Sequence, residues 1–234
     1  MGIGSGADTV SSGEESIFDT LRRRCSAPYC IFDVGSNKGQ FLQLILASIA
    51  TDCFSIHCFE PGAETFKILT GSCKEDPRIR LNNLGIGREE SEAELHYDTP
   101  ASGLASLTKR KLDHFNIDFS KSETVVITTI DRYCSENGIN RIHLLKLDIE
   151  GHEFDALAGA KEMFGSKSVD IVTFEFGGCN IDTRIFFRDF WYFFRDVNMS
   201  LFRITPSGYL HPIRSYQETY EQFKATNFIG LANG

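Results

Sequence analysis

The run Ile31-Phe32-Asp33-Val34-Gly35-Ser36-Asn37-Lys38-Gly39-Gln40-Phe41 sets how the rest of the chain is read. An apolar strand runs into Asp33, the chain turns through Gly35, Asn37 and Gly39, and a helical pattern emerges behind them. Glycine tolerates positive φ and lets a ligand come close to the backbone, and Asn is among the few other residues that visit the left-handed region easily. Such a loop can wrap a ligand at the carboxyl edge of a doubly wound sheet, where these folds bind them. Two familiar nucleotide loops do not fit. A P-loop needs Gly-Lys-Ser/Thr, and Gln40 follows Gly39. A dinucleotide loop starting at Gly35 would need glycine at 37 and 40, where Asn37 and Gln40 stand.

Outward from this loop, apolar runs alternate with helical patterns, the sequence form of a parallel sheet with crossover helices. Strands are expected over residues 29–34, 54–59, 79–86, 143–149 and 169–176, with helices over 38–50, 63–73, 130–137, 153–164 and 182–197. The stretch 88–123 is less regular, with a short strand at 92–97 and a polar loop at 99–106, and a further short strand is expected at 124–128. Segments 201–205, 209–213 and 228–231 read as a late antiparallel hairpin or edge. The economical organisation is one doubly wound α/β domain over residues 17–234, behind a Gly-, Ser- and acid-rich tail at 1–16 that reads as mobile.

Composition bounds the function. With 41% apolar and 24% charged residues the 234-residue chain is an ordinary globular protein. Its net charge of −8 argues against non-specific nucleic-acid binding, which needs a basic surface. No apolar stretch approaches the ~20 residues of a membrane span, so none is expected. The first 16 residues lack the basic start and apolar stretch of a secretory signal. Seven cysteines form an odd set without a C-x-x-C pair. Buried thiols in a reducing, cytoplasmic setting are expected, with no metal site.

Glu60 ends the second expected strand, where an acidic residue can accept hydrogen bonds from two ribose hydroxyls; capping of the next helix is the plainer alternative. Asp33 to Gly39, then Phe59-Glu60-Pro61, then Leu145-Lys146-Leu147-Asp148-Ile149-Glu150-Gly151-His152-Glu153 with Leu157, Gly159 and Ala160, resemble the successive signatures of the FkbM family of methyltransferases. The resemblance covers about residues 29 to 176 and implies a class I, Rossmann-like fold: a mostly parallel seven-stranded sheet with helices on both faces. It also implies S-adenosylmethionine as cofactor. Carried over, Asp33, Gly35, Asn37 and Gly39 would surround the methionine part and Glu60 would hold the ribose. Ser36, Phe41, Pro61 and Asp148 complete the implied binding set, with Asn83 at the adenine, a place that Asn82 could also serve.

At Asp148-Ile149-Glu150 an extended segment would point both carboxylates the same way. Complementing the positive end of the following helix is the bland alternative, worth ~0.3–1 kcal/mol each. An acceptor hydroxyl needs a general base. Asp148, Glu150 and Glu175 are the expected catalytic residues, and His152 is also a candidate by location. The family is mostly associated with O-methylation of sugars and other small molecules, so a small-molecule or sugar hydroxyl is the implied acceptor. A cofactor-binding domain that has lost catalysis and acts as an interaction module, and a nicotinamide-dependent oxidoreductase, are the competing readings. Region 88–123 is expected to cover the site and select substrate, while Lys109, Arg110 and Lys111 within it read as a solvated charge run.

Phenylalanine is in excess, 20 residues against one Trp, and the densest block spans residues 186–195. Phe186, Phe190, Phe193, Phe194 and Val197 recur at helical spacing and are expected to face the sheet. Phe187 and Trp191 fall off that stripe and are expected at a homodimer contact.

Overall fold

The computed structural model describes residues 15–49, 54–73 and 75–233. Most of the expected 1–16 tail, Cys53 and the last residue of the first expected crossover helix lie outside them. Helix α1 (Glu15–Arg24), which no motif announces, buries Ile17, Phe18 and Leu21. Strand β1 (Tyr29–Val34) leads through the glycine loop to α2 (Gln40–Ser48), and β2 (Phe54–Phe59) to α3 (Ala63–Ser72). Helix α2 starts after Gly39, two residues later than the pattern suggests, because Gly39 takes φ 93° and still belongs to the turn.

The expected strand at 79–86 is divided. β3 (Ile79–Asn82) pairs with β2, whereas β4 (Gly85–Ile86) leaves for a second sheet with β5 (Ser91–Tyr97) and β6 (Lys121–Thr128). The Asn83 side chain holds the break by donating to the carbonyls of Glu60 and Pro61, both at 2.9 Å. After α4 (Ile130–Asn137) and β7 (Leu144–Leu147), the helix expected at 153–164 is also divided, into α5 (Glu153–Ala158) and α6 (Lys161–Gly165). A Cβ on Gly159, between them, would lie 2.1 Å from the Gly87 carbonyl oxygen, so the chain bends where the two sheets' connections touch. Next come β8 (Ile171–Phe176), α7 (Cys179–Thr183), α8 (Phe187–Asp196), β9 (Met199–Ile204), β10 (Leu210–Pro212) and β11 (Thr226–Ala232).

The main sheet runs β10-β9-β11-β8-β7-β1-β2-β3. Five strands from β3 to β8 are parallel, and β11, β9 and β10 close the edge antiparallel. The doubly wound fold is therefore present with eight strands instead of seven, because the late hairpin adds β10 beyond β9. Period-two alternation sends Ile31 and Phe32 to opposite faces. Ile31 packs with Phe18, Phe41, Ile45 and Leu69 from α1, α2 and α3, and Phe32 with Tyr133, Leu157, Phe164 and Phe190 from α4, α5, α6 and α8.

On α8 the expected stripe is rotated. Phe187, Phe190 and Phe194 are fully buried, while Phe186 is 44% exposed. Phe186 is the residue before the first helical turn, in extended conformation, so helical spacing does not govern where it points. Phe187 therefore belongs to the protomer's own core and not to a dimer contact; its ring packs 4.6 Å from Phe228. Phe190 and Phe194 stack on Phe174 of β8 at 4.5 and 5.3 Å between centroids. Among the described residues no helix is long and apolar enough to cross a membrane.

Candidate functional site

A cavity of about 500 Å³ opens at the carboxyl edge of the main sheet, where the loops after β1, β2 and β7 meet the end of β8. Residues Ser102 to Leu107 and Arg110, from the irregular stretch between β5 and β6, cover it. Its floor depends on one close approach: a Cβ on Gly35 would lie 1.9 Å from the Asp148 carbonyl oxygen, and Gly35 has φ 81°. Only glycine lets the loops after β1 and β7 lie this close.

Of the implied binding set, Gly35, Asn37, Glu60, Pro61 and Asp148 line the cavity. Glu60 is nearly buried and accepts the Asn37 N–H at one oxygen (3.0 Å) and the Gly62 N–H at the other (2.9 Å). It thereby ties the glycine loop to Gly62, the residue before α3, without capping the helix itself. Burial pushes its carboxyl up to about 7, against the pull of those two amides.

The remaining members stand behind the wall. Asp33 is fully buried and ion-paired to Lys146 Nζ at 3.0 Å. Ser36 is buried, donates to the Asp33 carbonyl (2.7 Å) and accepts the Phe59 N–H (3.1 Å). Gly39 supplies the left-handed turn. Phe41 is buried, with the Lys146 ammonium 5.3 Å from its ring centroid. Asn83 does not line the cavity, since its amide is spent on the break after β3, and Asn82 bonds Cys58 and Tyr133.

The expected catalytic residues Asp148, Glu150 and Glu175 do line the cavity, as does His152. The extended-strand argument for the first two fails, because β7 ends at Leu147 and Glu150 takes φ 52° in a turn. The turn, closed by Gly151 at φ 102°, brings both carboxylates to one wall by another route. Asp148 is half exposed, 3.4 Å from Lys146 Nζ. Glu150 is mostly buried and pushed up to about 7, first by desolvation, with Asp148 and Glu153 adding to the rise and Arg110 opposing it. His152 holds Asp155 at 3.0 Å through Nδ1 and Thr108 at 3.0 Å through Nε2.

Two charged side chains in and behind the cavity wall escape a reading of the sequence. Lys146 lies in a buried strand, and only the register, Asp33 opposite Lys146, reveals the pair. Arg110 is not a solvated charge: its side chain is 9% exposed, and its guanidinium reaches Glu150 at 2.5 Å and Asp182 at 3.8 Å. Among the described residues no group of three or more His, Cys, Asp or Glu is placed to hold a metal ion.

The wall suits S-adenosylmethionine. Asn37 Oδ1 is buried without a hydrogen-bond partner, an acceptor fitted to an ammonium group. Glu60 has lone pairs left beyond its two amide bonds, for ribose hydroxyls. Phe59, Pro61, Leu84, Ile86 and Leu95 give an apolar surface for a flat base.

Residues 33–203 match the family model described as the methyltransferase FkbM domain. The chain belongs to the FkbM methyltransferase family. Among curated relatives it is 28% identical to the 2-O-methyltransferase NoeI of Sinorhizobium fredii, over 56% of this chain and 57% of that protein. It is 24% identical to the hexuronic acid methyltransferase AglP of Haloferax volcanii, over 70% of this chain and 64% of that protein. The match thus spans somewhat less than two thirds of either relative. The crystal structure of methyltransferase FkbM from Methylobacillus flagellatus shares the fold with a TM-score of 0.50 at 14% identity, covering 97% of this chain and 56% of that one.

Proposed function

We propose that this FkbM-family chain transfers a methyl group from S-adenosylmethionine to a hydroxyl of a sugar or other small-molecule acceptor. The observation that carries the reading is the single cavity that joins acceptors for cofactor hydroxyls and ammonium, Glu60 and Asn37, to the carboxylates Asp148, Glu150 and Glu175. The names of the two curated relatives, one a 2-O-methyltransferase and one a hexuronic acid methyltransferase, support a sugar-like acceptor.

When bound, S-adenosylmethionine supplies an already activated methyl group, so the protein's work is alignment, exclusion of water and removal of a proton. In this reading Glu60 and Asn37 orient the cofactor, with Asp33, Ser36 and Lys146 keeping the loop that carries Asn37 in place. An acceptor hydroxyl loses its proton as its oxygen takes the methyl group, and a carboxylate on the Asp148–Glu150–Glu175 wall receives that proton. The segment from Ser102 to Arg110 closes over the reacting atoms and keeps water away.

Calorimetry with S-adenosylmethionine tests the cofactor half. Glu60→Ala removes both ribose acceptors and is expected to weaken binding at least tenfold, about 1.4 kcal/mol. A screen of sugars and metabolite extracts with methyl-labelled cofactor tests the acceptor half, with label on a hydroxyl oxygen as the expected product. Absence of cofactor binding, or undiminished binding by Glu60→Ala, overturns the assignment.

A further inference from the structure

Arg110 comes from the covering segment, and its guanidinium stands on the cavity wall beside the carboxylates. Its Nη1 lies 2.5 Å from Glu150 Oε2 and its Nε 3.8 Å from Asp182 Oδ2. The same segment grips the turn after β7 and helix α7 at neighbouring points. Ser106 Oγ donates to the Glu150 carbonyl (2.9 Å), Thr108 Oγ1 meets His152 Nε2 (3.0 Å), and the Lys111 N–H donates to Asp182 (3.3 Å). Both ring nitrogens of His152 are thus occupied, by Thr108 and Asp155, and Asp148 is drawn to Lys146.

Resting on the methyl-transfer reading, we propose that Arg110 is a positioning residue for the reaction: it holds Glu150, the proton-accepting carboxylate, ionised and in one orientation. The geometry supplies both halves of this role. Glu150 is fixed from its backbone by a left-handed turn residue and the Ser106 bond, and from its carboxylate by the guanidinium, so little rotamer freedom is left to lose when an acceptor arrives. A guanidinium in contact with a mostly buried carboxylate favours the charged form, which is the form that can take a proton.

The charged and titratable groups around Glu150 set the balance. Asp148 and Glu153 on its own turn and the desolvation of the cavity favour the protonated carboxyl, while Arg110 from the covering segment favours the carboxylate. Cys179 from α7 is near enough to sense Glu150, Asp182 shares Arg110, and Glu175 of β8 and His152 line the same cavity. The outcome lies near neutrality, where a general base combines availability with driving force. In the step itself the acceptor's O–H bond breaks, its proton moves to a Glu150 carboxylate oxygen, the new C–O bond forms, and the donor's C–S bond breaks to leave a neutral thioether.

The test titrates the Glu150 carboxyl directly, by carbon NMR of protein carrying labelled Glu, with the resonance assigned by its loss in Glu150→Gln. The parent is compared with Arg110→Gln and Arg110→Lys, each also titrated with S-adenosylhomocysteine. The midpoint is expected to rise by about one unit in Arg110→Gln and to return most of the way in Arg110→Lys, with S-adenosylhomocysteine binding retained in both. With an acceptor from the labelled screen, kcat of Arg110→Gln at neutral pH is expected to fall about fivefold, recovering as pH rises. An unmoved midpoint, or loss of S-adenosylhomocysteine binding in Arg110→Lys, overturns the proposal. A parent that binds no S-adenosylhomocysteine overturns the methyl-transfer reading instead, and the titration still reports whether Arg110 governs Glu150.

Discussion

Glu153 lies beneath the turn that carries Asp148 and Glu150, 1% exposed. Its Oε1 accepts the N–H groups of Ile149 (2.9 Å) and Gly151 (3.2 Å), and its Oε2 is buried without a hydrogen-bond partner. Desolvation pushes this carboxyl up to about 8, well above its ordinary 4.5. A carboxyl with a raised native pKa stabilises the fold while protonated, and that contribution declines as pH rises from the unfolded to the folded value. Glu60 and Glu150, both near 7, act in the same direction. His57, lowered to about 4 by burial, acts oppositely, but only below its ordinary 6.5. Between pH about 6.5 and 8.5 the ligand-free protein is therefore expected to lose stability. Glu153→Gln keeps an oxygen for the two amides and removes the titration, so its melting temperature should decline less over this interval than the parent's. Parallel curves by differential scanning calorimetry would show that Glu153 does not carry the effect. Residue-level legibility follows the same physics. Asp148 and Glu150 stand out in sequence because carboxylates beside a buried strand need partners. The partners themselves, Lys146 from within the strand and Arg110 from forty positions upstream, become visible only when the chain is folded.

At the scale of elements, sequence pattern is a good guide wherever one period holds across a whole segment. Strands β1 and β2 and helix α4 lie where their apolar and capping signals place them. Pattern fails where a tertiary contact interrupts the period. Asn83 ends β3 by bonding two carbonyls of another loop, and Gly159 divides α5 from α6 because the Gly87 backbone presses on it. In α8 the difficulty is the starting point. Glu221 accepts the N–H groups of Phe187 and Arg188 at 2.8 and 2.9 Å, and Asp189 that of Phe186 at 2.9 Å. These bonds fix the first helical residue at Phe187, and Glu221 is a residue that no local pattern connects to it. The consequence is measurable. Phe187→Ala is expected to cost about 3–5 kcal/mol, the usual penalty for emptying an aromatic core position. Phe186→Ala, at a position 44% exposed, is expected to change stability by less than about 1 kcal/mol. Urea unfolding of the two variants distinguishes this phase from the one helical spacing suggests, which would give the opposite order.

Across the whole molecule, the cavity lies where the main sheet's carboxyl edge meets the smaller β4-β6-β5 sheet and its covering segment. Leu95 of β5 and Ile86 of β4 face it from one side, and Gly35, Glu60 and Asp148 from the other. A molecule that fills the cavity touches both sheets, and so must stabilise the contact between them along with each part. A ligand that binds only the folded state stabilises it, so S-adenosylhomocysteine at a hundredfold its Kd is expected to add about 2.7 kcal/mol of stability. For a chain of this size that corresponds to a rise of about 5–11 °C in melting temperature. The distribution of that stabilisation is the sharper measurement. Hydrogen exchange is expected to slow at the glycine loop around residues 35–39, at the Glu60–Ala63 turn, and in the covering segment at 102–107 together. Protection confined to the first two would place the bound molecule against the main sheet alone. The covering segment would then be a wall for the acceptor only, and its closing would have to follow acceptor binding and not cofactor binding. Protection at all three sites means that the cofactor itself steadies the segment, and with it the Arg110–Glu150 contact that the ligand-free protein already makes, before any acceptor arrives.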